Sequence, residues 1–300
     1  MSSIPMKEVM LVVYFIVDEW YQEEGHRLLK GKPGVKPIFS DSEVITLMLV
    51  QDFIPYPGEN QYIGYLRANY LALFPQLLTQ SQYNRRARSL RLLVEAFRRH
   101  WLDELGLLMN QDLLLDTKPV PVMGYKRSKK HSAFAGSAGY GVCVSRNLKY
   151  YGYKLVTLST LEGIPLVYEL VAANLDERVA AQAVVYCVRG CRIYGDKGFL
   201  GEEWQHQLFQ HTRNRLFTAK RSNQTTQNPS EFDRWLNSLR ERIEGLFNEV
   251  QNTGRNLERL LAKTVLGLTT RVIAKMTSHL VKLILRKCYG IDVQTFTCTA

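Results

Sequence analysis

The sequence predicts an α/β protein in which an all-helical N-terminal region precedes a mixed sheet flanked by helices. Three observations predict this fold class. Residues 1–108 carry helical periodicity, short apolar runs typical of strands begin after residue 109, and an amphipathic helical pattern returns near residue 240. Strands mixed with helices in this order are typical of a sheet covered by helices. With 300 residues and 46% hydrophobic side chains, the chain is long enough for two cores.

The N-terminal region has three helical signals. The apolar run 9–17 predicts a core helix and not a signal peptide, because Asp18 and Glu19 follow it directly. Ser40 precedes Glu43 by three residues, just before an apolar run, which is the capping-box pattern of a helix start. Further on, apolar residues alternate at spacings of four and three, which predicts one buried stripe on a long helix. The stripe consists of Tyr83, Ala87, Leu90, Val94, Phe97 and Trp101.

Arginines such as Arg85 fall off this stripe. A helix with one apolar face and one basic face could contact a DNA backbone through the basic face. A basic face that is simply solvated is an equally good interpretation. No defined helix-turn-helix is identified in this region.

The second region mixes strands and helices. A turn at Glu162-Gly163 joins two strands into a hairpin, and Asp176 stands at a helix start, where capping is its commoner role. The predicted elements are a strand at 113–116, the hairpin strands at 150–160 and 164–171, a helix at 176–188, strands at 192–196 and 215–219, and an amphipathic helix at 234–251.

Three acidic residues stand in matched contexts. Asp116 closes one apolar run, Asp196 closes another, and Glu244 lies on the last predicted helix. A buried strand that ends in a carboxylate delivers an oxygen ligand at the carboxyl edge of the sheet, where open α/β sheets place their functional groups. Oxygen ligands suit Mg²⁺, with Mn²⁺ as a substitute. The pattern therefore predicts a two-metal phosphoryl-transfer site in which Asp116, Asp196 and Glu244 are the metal ligands and catalytic residues.

Other acidic and metal-ligating residues lie close by in the sequence. Asp112, Glu241 and Glu249 are expected to point away from the site. A zinc site is a weaker alternative, because its spacing only approximates a zinc finger and Asp196 would lie in its middle. Its four ligands would be Cys187, Cys191, His206 and His211.

The positive charge of the chain is concentrated around the three acids. Residues 1–108 hold 12 basic and 12 acidic side chains, whereas residues 109–300 hold 27 basic and 16 acidic ones. A basic domain around an anionic metal site suits a polyanionic substrate such as DNA or RNA, and a solvated surface without a specific partner is the alternative.

Several basic residues are candidates for phosphate contacts. Lys197 adjoins Asp196, and Arg240 precedes Glu244 by one helical turn, where it would orient the carboxylate, contact the scissile strand or form an ordinary surface pair. Two further clusters of basic residues are Lys126, Arg127, Lys129 and Lys130, and Lys220 with Arg221.

Composition also bears on the compartment. The five cysteines form no disulfide framework, which predicts a reducing cytoplasm. The apolar segment 260–285 is interrupted by four basic residues, too many for a membrane span, so no membrane partner is expected.

Three ordered motifs resemble the DDE transposases of bacterial insertion sequences, and in particular the insertion sequence 982 family. They are Leu115-Asp116-Thr117-Lys118-Pro119-Val120-Pro121-Val122, Tyr194-Gly195-Asp196-Lys197-Gly198-Phe199 and Arg240-Glu241-Arg242-Ile243-Glu244. The resemblance covers residues 40–285 and includes Tyr83-Asn84-Arg85-Arg86 and Gly152-Tyr153-Lys154-Leu155. The three acids are separated by 80 and 48 positions, which leaves no room for a large inserted domain.

The resemblance implies an RNase H-like catalytic core at 109–290, preceded by a helical DNA-binding or dimerisation region at 1–108 and followed by a tail at 291–300. It implies two Mg²⁺ ions per active site, with Asp116 touching both and Asp196 and Glu244 holding one each. The implied partners are the terminal inverted repeats of an element, target DNA and further copies of the chain, in the bacterial cytoplasm and at the nucleoid. Arg85 and Arg86 are expected to contact DNA.

In the implied reaction, water frees a 3′-hydroxyl at the end of the element, and that hydroxyl then attacks target DNA. Two other functions stay open at this point. One is a catalytically inactive DNA-binding relic or regulator, and the other is an RNase H-like nuclease that cleaves without strand transfer.

Overall fold

The computed structural model describes residues 4–29, 37–125, 133–143, 147–220 and 227–293. Contacts divide the chain into two compact units, a helical unit formed by Met1–Glu104 with Val250–Ala300 and a sheet unit formed by Leu105–Glu249. In chain order the elements are α1 (Met6–Glu23), α2 (Asp41–Val50), α3 (Glu59–Asn69), α4 (Gln80–Glu104), β1 (Asp112–Met123), β2 (Gly139–Cys143), β3 (Leu148–Thr160), β4 (Pro165–Ala172), α5 (Glu177–Val185), β5 (Arg192–Gly195), α6 (Glu202–Thr212), β6 (Arg215–Thr218), α7 (Ser230–Asn252) and α8 (Val265–Tyr289).

The helical unit contains the three predicted helical signals. The apolar run 9–17 lies within α1 and buries side chains such as Val13 and Val17. At the start of α2 the Ser40 hydroxyl accepts a hydrogen bond from the Glu43 backbone N–H at 3.1 Å, and the Ser40 N–H donates to the Glu43 carboxylate at 2.6 Å, which confirms the capping box. The stripe on α4 is buried, except that its last position is Leu102 and not the half-buried Trp101.

The C-terminal helix corrects the predicted division of the chain. Residues 109–290 were predicted as one catalytic domain, but α8 packs against α2 and α4 and belongs to the helical unit. Nearly all of one face of α8 is buried, including Lys275, whose ammonium donates to the Thr253 hydroxyl at 2.9 Å. The apolar side chains of α8 complete the core of the helical unit. The sequence of α8 alone does not show which unit this helix belongs to. In the described part of the chain, no helix is long and apolar enough to cross a membrane.

Within its described residues, the sheet unit contains six strands. The strands follow the order β2, β3, β1, β5 and β6, and β4 also pairs with β3. β1, β2 and β4 are antiparallel to β3, whereas β5 is parallel to β1 and β6 is parallel to β5. Helices α5 and α6 contact strands of this sheet, so the predicted α/β class with a mixed sheet flanked by helices is confirmed.

The predicted hairpin is confirmed as β3 and β4. Gly163 adopts a φ of 85° in the turn, and its N–H donates to the Thr160 carbonyl at 2.9 Å. β1 is longer than predicted, at Asp112–Met123 in place of 113–116. The sequence predicted neither β2 nor α6.

Candidate active site

Two of the three predicted acids lie side by side on neighbouring parallel strands. Leu115 of β1 pairs with Gly195 of β5, so the residues that follow them, Asp116 and Asp196, stand at the same level of the sheet. Neighbouring strands are about 4.8 Å apart. Both carboxylates are half-buried at the carboxyl end of β5, the edge at which α/β sheets place their functional groups.

Helix α7 brings the third acid to the same face of the sheet. Asp116 and Lys118 share one face of β1 because strand side chains alternate. The Lys118 ammonium lies 5.8 Å from the centre of the Phe247 ring of α7, and the ring of Tyr194 lies 4.9 Å from that of Trp235 at the other end of this helix. Together these contacts place α7 across this face.

The three acids line one narrow pocket of about 30 Å³. Its floor comes from β1 and β5 and its cover from α7. The lining residues are Leu114, Leu115, Asp116, Tyr194, Gly195, Asp196, Leu236, Leu239 and Glu244.

Local hydrogen bonds orient the two aspartates. An Asp116 carboxylate oxygen accepts from the Thr117 N–H at 2.7 Å, and an Asp196 oxygen accepts from the Lys197 N–H at 2.6 Å. Asp196 thereby caps the short 3₁₀ turn that follows β5. Glu244 is exposed to solvent on α7.

The acids share a pocket without forming a closed ligand cluster. Within the residues that the structure describes, no three carboxylate, imidazole or thiol groups are close enough to hold one metal ion. Carboxylates repel one another when no cation lies between them.

Two glycines of the second motif permit the turn that fixes Asp196. A methyl group on Gly195 would lie 3.0 Å from the ring of Phe199, which is buried and folds back over the end of β5. A methyl group on Gly198 would lie 1.6 Å from a carboxylate oxygen of Glu177. A methyl group at position 195 would therefore press on the buried Phe199 ring, whereas one at position 198 would displace the end of the Glu177 side chain.

Comparison with protein-family models matches residues 109–260 to the transposase DDE domain. The chain belongs to this family. The matched range contains Asp116, Asp196 and Glu244 together with every strand of the sheet. Comparisons with curated proteins and with solved structures gave no significant match.

Other acids near the DDE site have structural partners. The Asp112 carboxylate accepts from the Arg192 guanidinium at 2.6 Å and from the Tyr194 hydroxyl at 2.9 Å, and the hydrogen bond from Arg192 lowers the pKa of Asp112. Asp176 accepts from the Arg178 N–H at 2.9 Å at the start of α5, which confirms its predicted capping role.

In the sheet unit, the basic residues predicted to bind DNA differ in how far the structure describes them. Lys197 is exposed directly after Asp196. Lys220 is half-buried two residues beyond Thr218, the partner of Gly195, and so lies at the same edge of the sheet as the DDE site. Arg240 lies in α7 one turn before Glu244, but its side chain is outside the described part of the chain. The residues Lys126, Arg127, Lys129, Lys130 and Arg221 also lie outside the described ranges.

The two arginines predicted to bind DNA in the helical unit differ in their surroundings. The Arg86 guanidinium donates to the Phe39 carbonyl and to the Asp41 carboxylate, so it ties α4 to the start of α2. Arg85 is exposed and lines an open groove beside Ile38. The structure does not test a contact with DNA for either arginine, and the pairing of Arg86 with Asp41 favours Arg85 as the residue that makes it.

Two neighbours of the DDE acids were not among the predicted site residues. Lys118 shares the face of Asp116, and the Tyr194 ring lines the acidic pocket. The period of two along a strand was the available signal, because residues 114, 116 and 118 of β1 must share a face.

Proposed function

We propose that the protein cleaves DNA at the ends of an insertion sequence and joins the freed 3′-hydroxyl to target DNA by two-metal phosphoryl transfer. One observation carries the proposal. In residues that match the transposase DDE domain, Asp116 and Asp196 stand side by side on parallel strands and share a pocket with Glu244. The order of these acids is the one that the DDE resemblance requires.

The sheet supports an RNase H-like core. Three antiparallel strands, β4, β3 and β1, continue into two parallel strands, β5 and β6. This mixed sheet is compatible with the core that the resemblance to the insertion sequence 982 family implies. Both the RNase H-like core and membership of that family are parts of the proposal.

The donor set fits hard divalent cations. Asp116, Asp196 and Glu244 offer only carboxylate oxygens, which Mg²⁺ and Mn²⁺ prefer. Two such ions held by these carboxylates would supply activation of the attacking oxygen and stabilisation of the leaving oxygen in an in-line displacement at phosphorus. Asp116 lies on the central strand and would contribute to both positions, with Asp196 and Glu244 serving one each.

The protein's own groups position the substrate. The Lys197 N–H donates to the Asp196 carboxylate, and the exposed Lys197 ammonium would contact a DNA phosphate. Lys220 adds a second positive charge at the same sheet edge. Charge-assisted contacts of this kind fix the phosphodiester relative to the carboxylates.

DNA is the partner that membership of the transposase family implies. We further propose that terminal inverted repeats and target DNA are both bound and that the protein acts as a homo-oligomer, because two element ends must be brought together. Residues 1–108 would supply DNA binding or dimerisation. A bacterial cytoplasm, with association to the nucleoid through DNA, is the corresponding location.

Metal-dependent nicking tests the proposal. A plasmid that carries the element's native flanks is incubated with the protein and Mg²⁺ or Mn²⁺. Asp116→Asn, Asp196→Asn and Glu244→Gln should each reduce cleavage by at least about 100-fold, a loss comparable to that of one preorganised oxyanion-hole donor. Asp112→Asn and Glu241→Gln are matched controls on the same strand and the same helix, and both should cleave as the wild type does.

The outcomes separate three functions. Cleavage followed by joining of the 3′ end to a second DNA supports a transposase, and cleavage without joining indicates a nuclease. Specific DNA binding without cleavage in either metal indicates a relic or regulator. Intact cleavage by the three acid variants would show that the metal-site assignment is wrong.

A further inference from the structure

The face of the sheet that carries Asp116 extends beyond the DDE site. Thr157 of β3 pairs with Asp116, and because side chains alternate along a strand, Tyr151 lies on the same face. Tyr140 of β2 pairs with Tyr151 and continues this face. Thr157 and Tyr151 are six positions apart along β3, which corresponds to about 20 Å.

Burial decreases steadily along this face. Thr157 is 0% exposed, Tyr151 7% and Tyr140 43%. The residues between them are covered, because the Phe134 ring packs 6.2 Å from that of Tyr153 and the Ser137 and Tyr153 hydroxyls lie 2.7 Å apart. The segment that contains Phe134 and Ser137 therefore covers the middle of this face, and at β2 the face is an exposed aromatic surface.

Three tyrosine rings form this open surface. The ring centre of Tyr140 lies 5.0 Å from that of Tyr151 and 5.2 Å from that of Tyr125. Tyr125 is 42% exposed and Tyr140 43%, whereas Tyr151 is nearly buried beneath them. The inner ring is fixed in the sheet, so the outer two rings are held at a defined level with part of each ring open to solvent.

The surrounding charge selects the kind of partner. Lys149 is exposed on the same face, opposite Val142. An aromatic surface beside a positive charge suits a nucleic acid strand, since every base has a flat face that can stack on a ring and every phosphate is attracted to the cation. An apolar protein surface would leave the Lys149 ammonium without a counter-charge.

We propose that Tyr125 and Tyr140 form a base-stacking surface for an unpaired DNA strand that leads away from the DDE site. Bases within a duplex already stack on each other, so only an unpaired or splayed strand offers a free base face. The distance of about 20 Å from Asp116 corresponds to about six stacked nucleotides at 3.4 Å each. The proposal rests on the proposed function for its substrate and names a strand contact of that site.

Binding without metal tests the proposal. The probe is a 20-nucleotide oligothymidine with one central 2-aminopurine, in the presence of EDTA, and a duplex of the same length is the comparison. Tyr125→Ala and Tyr140→Ala should each weaken binding of the single strand roughly 5- to 150-fold, the range found when a base-stacking ring is removed. They should also relieve the quenching of 2-aminopurine fluorescence, whereas binding of the duplex should change little.

Further variants separate stacking from other effects. Tyr140→Phe keeps the ring and should bind as the wild type does. Tyr186→Ala removes a tyrosine of matched exposure, 41%, from the same unit and should also leave binding unchanged. Lys149→Gln should reduce the slope of log K against log salt by about 0.7, while the tyrosine variants leave the slope unchanged. Tyr125 lies two positions beyond the last residue of β1, so its variant keeps the strand intact even where Tyr140→Ala disturbs β2.

Four results would overturn the stacking proposal. They are no binding of the single strand by the wild type, wild-type affinity in both alanine variants, an equal loss in Tyr140→Phe, and an equal loss in Tyr186→Ala. The result can be told apart from a failure of the proposed function, because binding is measured in EDTA and cleavage in metal. If the tyrosine variants bind the single strand more weakly but the wild type does not cleave DNA, the stacking surface is supported and the proposed function is not. If the wild type cleaves DNA but the tyrosine variants bind as it does, the proposed function is supported and the stacking surface is not.

Discussion

Arg255 forms a buried ion pair with Asp52, although the two residues are 203 positions apart in the chain. The guanidinium Nε and Nη2 each donate to one carboxylate oxygen at 3.1 Å, and both side chains are only 4% exposed. The Arg255 N–H donates to Asp52 at 3.0 Å, and the Lys275 ammonium lies 3.4 Å away. The Asp52 carboxylate thereby joins the end of α2, the segment after α7, and α8 within the helical unit.

Removing the charge of Asp52 should strongly destabilise the protein. Asp52→Asn leaves two buried cations without their anion, and breaking a buried ion pair from one side costs about 3–5 kcal/mol. Urea unfolding followed by far-UV circular dichroism measures the loss. Asp176→Asn is the control, because Asp176 is half-exposed and Asn caps a helix as well as Asp does. Equal unfolding midpoints for the two variants would contradict the prediction.

The same network should make the free energy of unfolding depend on pH. Burial raises the pKa of Asp52, but the charges of Arg255 and Lys275 and the hydrogen bonds from Arg255 outweigh it, so the pKa lies below its ordinary value. The pKa of Glu59 is lowered in the same way, because the Arg271 charge and hydrogen bonds from Arg271, Gln80 and Asn84 outweigh burial.

A carboxylate whose folded pKa is depressed stabilises the fold fully above its unfolded pKa, here about 3.8 for Asp52 and 4.5 for Glu59. This contribution is lost as the pH falls through the lower folded value. The urea midpoint should therefore change little through these two groups from pH 7 to about pH 5 and fall below about pH 4. Asp52→Asn should show a shallower acid dependence, and an unchanged dependence would show that the carboxylate is not the cause.

Features of the fold that depend on residues close in sequence could be predicted, whereas contacts between distant parts of the chain could not. The capping box of Ser40 and Glu43 and the hairpin around Gly163 depend on residues close in sequence, so they could be predicted. The runs that end in Asp116 and Asp196 were also local, and they predicted two strands, which the structure places next to each other in the sheet. β2 was missed because Gly139 and Gly141 weaken its strand pattern.

The membership of α8 in the helical unit depends on partners far away in the chain. The Asp52 and Arg255 pair spans 203 positions, and neither residue carries a local signal of this contact. Tyr125 and Tyr140 meet only because β1 and β2 both pair with β3. Such contacts follow from the order of strands in the sheet and from helix packing. Both depend on the whole chain and not on a local sequence pattern.

The two glycines around Asp196 should differ in their tolerance of alanine. Gly195→Ala would press on the buried ring of Phe199, which cannot move without disturbing the core, and overpacking of this kind costs about 1–3 kcal/mol. Gly198→Ala meets only the end of the Glu177 side chain, which can swing away. Thermal unfolding should therefore show a larger loss for Gly195→Ala. If Gly198→Ala is the more damaging variant, the Glu177 carboxylate is more firmly held than the contact with Gly198 alone implies.

Salt dependence of DNA binding should separate Lys220 from Arg86. Lys220 lies at the sheet edge of the DDE site, so Lys220→Gln should remove about one phosphate contact and reduce the slope of log K against log salt by about 0.9. The Arg86 guanidinium already binds Asp41 and the Phe39 carbonyl, so Arg86→Gln should lower the unfolding free energy and leave the slope nearly unchanged.

Lys7→Gln, at an exposed lysine of α1, is a control for the loss of one positive charge. The slopes are measured on one duplex over a range of salt concentrations, at a temperature where all variants remain folded. A full unit of slope lost in Arg86→Gln would mean that its pairing with Asp41 opens when DNA binds. In that case the start of α2 would move on binding, because Arg86 is the side chain that ties α4 to Asp41 and Phe39.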